Sequence, residues 1–456
     1  MVESIIGIFL FLHILRSCVD VFRETAGFVF FPAVALFCGI AMIPAYGVRP
    51  ECFPLLLFTA VYTILSFPSV IAFFSRLKNR SGAGNRLPPP FLAAALLAVS
   101  LAAAFLFAPR DRPATAEETE KTQFAISDSL REVDLFVSYY PGNGNDLVLV
   151  TPPVSVPLSM VEDICFAFKE TGYKVLTFSR PCFDNSASDE KGETVELPVF
   201  QKIKRYMRVA NGIKTGDAAA RQDAAEREAD IRFLLSALKS NRQLRETVPY
   251  YENIFLLGYG AGGAASVGLS GTGDFLRENP AVKAVAAIES VVLCDFSEPA
   301  YEPDKNLLRN IGGRIGRFFK KPPLRMDNIT RPEIPVLFVA GDGSQAKSGR
   351  YRAVVQTMAD SEAPFLFASV NGVHALDFSA LSRKYPVLTL FAKGKKEGVW
   401  PREDAVANIA AYIAAFFSLA KDSLSVTRLA AHLANRVPPG AVFLETSRSH
   451  RGPNEE

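Results

Sequence analysis

Phe28 to Tyr46, FVFFPAVALFCGIAMIPAY, runs for nineteen residues without a charge. At about 1.5 Å per helical residue it covers most of a hydrocarbon core of about 30 Å. A run of this kind must be buried in protein or placed in lipid, where each backbone N–H and C=O is satisfied inside its own helix. Cys52 to Phe74 and Pro90 to Ala108 meet the same test. Ile5 to Val21 meets it less well, because it contains His13, Arg16 and Asp20. The pattern predicts a transmembrane region over residues 1–108 with about four helical spans. No Lys or Arg precedes Arg16 and no A-x-A-like site follows, so a removable signal peptide is not expected.

Orientation follows from the basic residues, which are retained on the cytoplasmic side. The loop SRLKNRSGAGNR carries Arg76, Lys78, Arg80 and Arg86. Placing it inside also places the Arg23 loop inside, leaves Arg49 outside and sends both termini outward. Arg110 and Arg112, just past the last span, pull the other way. The expectation is a polytopic integral membrane protein whose large C-terminal domain is extracytoplasmic and whose first partner is the lipid bilayer. His13, Arg16 and Asp20 fall on one helix face, either as a polar relay or as a helix end reaching for the interface.

A net charge of +3 and the lack of any basic stretch interleaved with aromatics give no support to nucleic-acid binding. Cys18, Cys38 and Cys52 lie in or beside the apolar runs. Cys165, Cys182 and Cys294 lie beyond them, with no C-x-x-C pair. The four histidines, His13, His374, His432 and His450, are scattered. No disulfide framework, metal site or cofactor is expected, and the sequence names no protein partner.

Residues 109–123 read as a polar, proline-marked linker. From Phe124 the pattern changes to short, β-branched, apolar runs alternating with helical ones. Strands are expected at Val133–Tyr140, Asp146–Val150, Lys174–Phe178, Asn253–Leu257, Val282–Ile288, Val336–Ala340 and Phe365–Ser369. Helices are expected at Met160–Glu170, Ala229–Lys239 and Ala405–Phe417. Continuous apolar strands of this kind are buried on both faces, which implies a doubly wound, mostly parallel α/β sandwich over residues 124–422. Glu196–Glu228 and Glu298–Arg331 interrupt the alternation as insertions. The second is basic, with Arg309, Arg314, Arg317, Lys320, Lys321 and Arg325, and suits a solvated cap loop or a contact with anionic lipid. Residues 423–456 are expected to be a C-terminal helix and, from Val437, a disordered tail.

The chemistry centres on Ile254 to Val267, IFLLGYGAGGAASV, an apolar strand running through a glycine turn into a small-residue helix. Gly258, Gly260 and Gly263 fit G-x-G-x-x-G, which seats a pyrophosphate on a helix N-terminus. Glu289, after VKAVAAI, stands where the acidic partner of a dinucleotide site would. Against this, two strand–helix units precede the glycines, whereas that fingerprint usually opens its domain. The other reading is the strand–turn–helix that carries G-x-S-x-G, with Gly260 in the serine's place.

READIRFLLSAL followed by NIFLLGYGAGGAAS resembles the approach helix, strand and nucleophile elbow of serine α/β-hydrolases. IPVLFVAGD, ending in Asp342, resembles the strand that delivers their acid. VNGVHALDFSAL, with His374, resembles the loop that delivers their base. VHALDFS followed by AYIAAFF is similar to the platelet-activating-factor acetylhydrolase and dienelactone-hydrolase-like branch, some members of which carry N-terminal membrane spans. The resemblance covers roughly residues 125–422. It implies an α/β-hydrolase fold, a lipid or small ester as ligand, Asp342 and His374 as acid and base, and the Ala261 N–H as oxyanion donor.

Two positions depart from that family. Gly260 offers no oxygen or sulfur to form a covalent intermediate. Tyr259 and Ser266 are the nearest hydroxyls, one on the wrong side of the turn and the other well into the helix. After LVLV, where the family places an oxyanion-hole donor, the chain has Thr151-Pro152-Pro153, and proline carries no N–H. The expectation is an esterase-related membrane protein impaired in serine-hydrolase turnover. A ligand-binding or scaffold pseudoenzyme is its non-catalytic form.

Overall fold

The computed structural model describes residues 8–15, 26–46, 52–79, most of 95–103, 121–153, 161–180, 187–188, 194–195, 217–289, 331–341, 363–371, 373, 378, 404–421, 426–436 and 442–446. These residues fall into two compact units, one within Met1–Asp111 and one from Lys121 onward.

In the first unit a short 3-10 turn, Ala26–Phe30, leads into helix α1 (Phe31–Tyr46), followed by α2 (Phe53–Asn79). Residues 8–15 are also helical. Along α2, Thr59, Tyr62, Ser66 and Ser69 recur at steps of three and four and are all buried, while Leu57, Ile64, Phe67 and Ile71 on the other faces are exposed. Exposures of 73% at Phe37 and 71% at Ile64 invert the usual soluble pattern of apolar inside and polar outside. His13 lies in this interior, its Nδ1 2.9 Å from the Tyr62 hydroxyl; Arg16 and Asp20 lie outside the described residues. Among the described residues one stretch, Pro54–Phe74, is long and apolar enough to cross a membrane, against the four spans expected.

The second unit is built on a nine-stranded sheet: β1 (Thr122–Asp128), β2 (Val133–Tyr140), β3 (Asp146–Thr151), β4 (Lys174–Ser179), β5 (Asn253–Tyr259), β6 (Val282–Ile288), β7 (Val336–Gly341), β8 (Phe365–Val370) and β9 (Val442–Thr446). The order across the sheet is β1-β2-β4-β3-β5-β6-β7-β8-β9. The run from β4 to β8 is parallel, and β1, β2 and β9 join antiparallel. The helices are α3 (Glu162–Glu170), α4 (Asp217–Ser240), α5 (Arg242–Thr247), α6 (Ala261–Ser270), α7 (Gly273–Glu278), α8 (Ala405–Ala420) and α9 (Val426–Ala434).

Alternation along the strands divides the core into two layers. Leu147, Leu149, Leu176, Leu256 and Phe338 pack with Ile231, Leu234 and Leu238 of α4 and with Ala265 and Leu269 of α6. Val148, Val150, Val175, Leu257 and Val339 pack with Ile164 and Phe168 of α3 and with Ile409 and Ile413 of α8. The Phe255 ring stacks on Phe417 at 4.6 Å, which pins α8 to the middle of the sheet. This mixed α/β sandwich, parallel at its centre and covered on both faces, is the doubly wound, mostly parallel architecture expected from the sequence.

All seven expected strands form, most of them one or two residues longer. Three expectations are corrected. The linker to residue 123 is too long by two, because Thr122 already pairs with Tyr139. The tail is not wholly irregular, because Val442–Thr446 pairs with β8 and closes that edge of the sheet. The charged insertion to Glu228 ends inside α4, whose first half supplies the buried Ala224 and Arg227.

Candidate functional site

The carboxyl ends of the central parallel strands carry the residues of interest, as is usual for ligand sites in open α/β sheets. β5 lies mid-sheet between β3 and β6, and α6 starts one residue beyond the Tyr259–Gly260 step. Gly260 has φ 57° and ψ −120°, a conformation that side-chain-bearing residues rarely adopt. Its N–H donates to the Ile288 carbonyl at 3.0 Å, and its carbonyl accepts from Ala264 N–H at 3.2 Å. The turn is therefore tied to β6 and to the first turn of α6. Tyr259, Gly260 and Ala261 are each partly exposed, while the strand before and the helix after are buried.

Close approach explains the neighbouring glycines. A Cβ on Gly258 would lie 2.3 Å from the Gly262 carbonyl oxygen, and one on Gly262 would lie 2.4 Å from the Thr151 carbonyl oxygen. The tight pair is thus Gly258 and Gly262, four residues apart, the spacing of G-x-S-x-G. Among the described residues a Cβ at Gly260 would meet only the Pro153 Cβ, at 3.4 Å, so position 260 has room beside them for a side chain but an unfavourable backbone for one. As the first helical residue, Ala261 points an N–H out of the open end of α6.

Pro152 and Pro153 stand beside this turn and donate no backbone hydrogen bond. The Thr151 hydroxyl is buried there and has no hydrogen-bond partner among the described residues. Ser266 is buried, and its hydroxyl donates to the Gly262 carbonyl at 2.9 Å, inside α6 and away from the turn. Tyr259 packs into the core layer formed by α3 and α8. Neither hydroxyl takes the place of one at position 260.

Asp342 and His374 lie outside the described residues. The strands they follow end at Gly341 and Val370, the second and third strands beyond β5 on the same side of the sheet. Glu289, read from sequence only as a possible ribose partner, has a different position. Its Oε1 accepts the Gly341 N–H at 2.6 Å, its own N–H donates to Val339 at 2.9 Å, and its φ is 48°. A buried carboxylate with a left-handed backbone thus fastens the end of β6 to that of β7. Nothing in the run IES marks it, because both contacts are long-range.

A second feature missed by sequence is a buried ionic cluster behind the turn. Asp230 of α4 is fully buried and lies 2.9 Å from Arg131 Nη1 and 3.6 Å from the Nη1 of both Arg180 and Arg227. Burial raises the Asp230 carboxyl above the ordinary carboxylate range, against the opposing pull of Arg227, Arg180 and Arg131. Burial also pushes Asp128 upward, but its hydrogen bonds to Arg131 outweigh this and hold it below that range. Among the described residues no group of His, Cys, Asp and Glu is arranged to hold a metal.

The family model TP_0976_N, an N-terminal domain, matches residues 1–107, the apolar region. No curated protein matches the chain. Among solved structures the chain is similar to a ferulic acid esterase from Streptomyces cinnamoneus, at 13% identity, covering 68% of this chain and 92% of that one with a TM-score of 0.42. It is also similar to the Pyrococcus furiosus esterase Pf2001, at 15% identity, covering 51% and 77% with a TM-score of 0.27.

Proposed function

We propose that this chain is a membrane-anchored, esterase-related protein in which Gly260 occupies the nucleophile position and ordinary serine-hydrolase turnover is lost. The observation that carries the reading is the turn itself. A mid-sheet strand enters a helix through a residue at φ 57° and ψ −120°, and that residue has no side chain. Acyl transfer through a covalent intermediate requires a nucleophile at this point, and loss of a triad serine costs on the order of a millionfold in kcat. Pro152 and Pro153 withhold the second oxyanion donor, a loss of about 100- to 1000-fold. The ligand is a lipid or small ester held in the remaining pocket, with Asp342 and His374 as the acid and base positions.

The inverted first unit supports membrane anchoring, since outward Phe37, Ile64 and Phe67 and inward Thr59, Tyr62 and Ser66 suit a helical bundle in lipid. The basic loop Arg76–Arg86 supports an extracytoplasmic second unit.

The test uses purified full-length chain with p-nitrophenyl esters and a fluorophosphonate. Wild type is expected to show no turnover and no labelling, and Gly260→Ser to be labelled. Wild-type turnover abolished by His374→Ala would overturn the pseudoenzyme reading. Alkaline carbonate extraction of membranes should leave the chain in the pellet; release into the supernatant would overturn anchoring.

A further inference from the structure

Arg227 is among the largest fully buried side chains of the described residues, and its contacts reach Pro153, beside the Gly260 turn. Its Nη2 donates to the Pro153 carbonyl at 3.1 Å, its Nη1 lies 3.6 Å from Asp230 Oδ2, and its guanidinium sits 5.4 Å over the Phe178 ring. These contacts belong to the segment after β3, to α4 and to β4. Asp230 is shared with Arg131 and Arg180, so the β1–β2 turn and the end of β4 brace the same carboxylate. A planar guanidinium can donate in its plane and stack on its face at once, which an ammonium cannot.

Pro153 is the residue that faces position 260, with its Cβ 3.4 Å from where a Cβ there would stand. Having no N–H, a proline is held by hydrogen bonding through its carbonyl alone. We propose that Arg227 is a positioning residue that sets the space open to a ligand beside position 260 by holding Pro153 against it. The inference rests on reading Gly260 as a nucleophile position. It assigns size selection to a side chain that is itself fully buried.

The experiment compares rates of covalent labelling of full-length Gly260→Ser by a methyl and a long-chain alkyl fluorophosphonate, alone and combined with Arg227→Met or Arg227→Lys. Loosening Pro153 should raise the long-to-short rate ratio about tenfold in Arg227→Met, the scale on which a pocket discriminates a methylene. Arg227→Lys keeps the charge near Asp230 but loses the stack on Phe178, and should raise the ratio less. Phe417→Leu, which weakens the opposite core layer, should lower Tm and leave the ratio unchanged. An unchanged ratio in both Arg227 variants overturns the inference; if Arg227→Met does not fold, an unchanged ratio in Arg227→Lys does so alone. Failure of Gly260→Ser to be labelled by either probe overturns the elbow reading, and this inference with it.

Discussion

The guanidinium of Arg227 donates to the carbonyl of Pro153 across 74 residues of sequence, joining a buried charge cluster to the residue that stands beside the Gly260 turn. That link ties the cluster to the turn, since Asp230 and Arg227 at its centre are fully buried and removing one leaves the other to bear the cost of burial.

Asp230→Asn is expected to destabilise the protein by about 3–5 kcal/mol, because it removes the negative charge beside the fully buried Arg227 guanidinium. Urea denaturation of the full chain followed by near-UV circular dichroism checks this. A loss below about 1 kcal/mol would show that the arginines escape to water.

Asp128 gives a dependence on pH. Its folded-state pKa lies below the ordinary 3.8, so its contribution is present above about pH 4 and is lost as the pH falls through the folded value. The gap in Tm between wild type and Asp128→Asn should therefore be largest near neutrality and close on acidification. A gap that widens toward low pH would contradict the ion pair with Arg131.

Gly262→Ala and Gly260→Ala should differ although they stand two residues apart. The first drives a methyl into the Thr151 and Pro152 carbonyl oxygens at 2.4 and 2.8 Å and should cost about 3 kcal/mol. The second has room and incurs only backbone strain, about 1 kcal/mol. Thermal unfolding of the two variants would reveal the order, and the reverse order would refute the geometry of the turn.

Thr151→Val removes a buried hydroxyl that has no hydrogen-bond partner among the described residues, while keeping the shape. Stability should be unchanged or rise by about 1 kcal/mol. A lowered Tm would mean that the hydroxyl has a partner in solution, and differential scanning fluorimetry is sufficient to see it.

Much of the sandwich was legible because a strand buried on both faces must be apolar at every position, and LVLV, AVAAI and PVLFVA satisfy that locally. β1 escaped because TQFAISD is an antiparallel edge strand with one face solvated, and its alternation resembles linker. β9 escaped because VFLET is short and follows a proline-rich turn, and only pairing with β8 makes it a strand. At the site, Gly260 and the prolines were visible as missing groups, since an absent hydroxyl or N–H is a property of the residue alone. Glu289, Thr151 and the Arg227–Asp230 cluster were not visible, because burial and partners are properties of neighbours.

The sequence by itself determined the apolar first region, the alternating α/β domain and the absence of a side chain at position 260, all of which follow from side-chain chemistry and local period. Only the tertiary structure decided which glycines are obligatory: Gly262 because β3 and α6, more than one hundred residues apart in sequence, approach closely there, and Gly258 because the turn brings the start of α6 back against it. It alone placed Pro153 against the turn and Arg227 behind Pro153. Hydrogen bonds and desolvation act through space, and the order of residues along the chain does not encode which distant groups will meet.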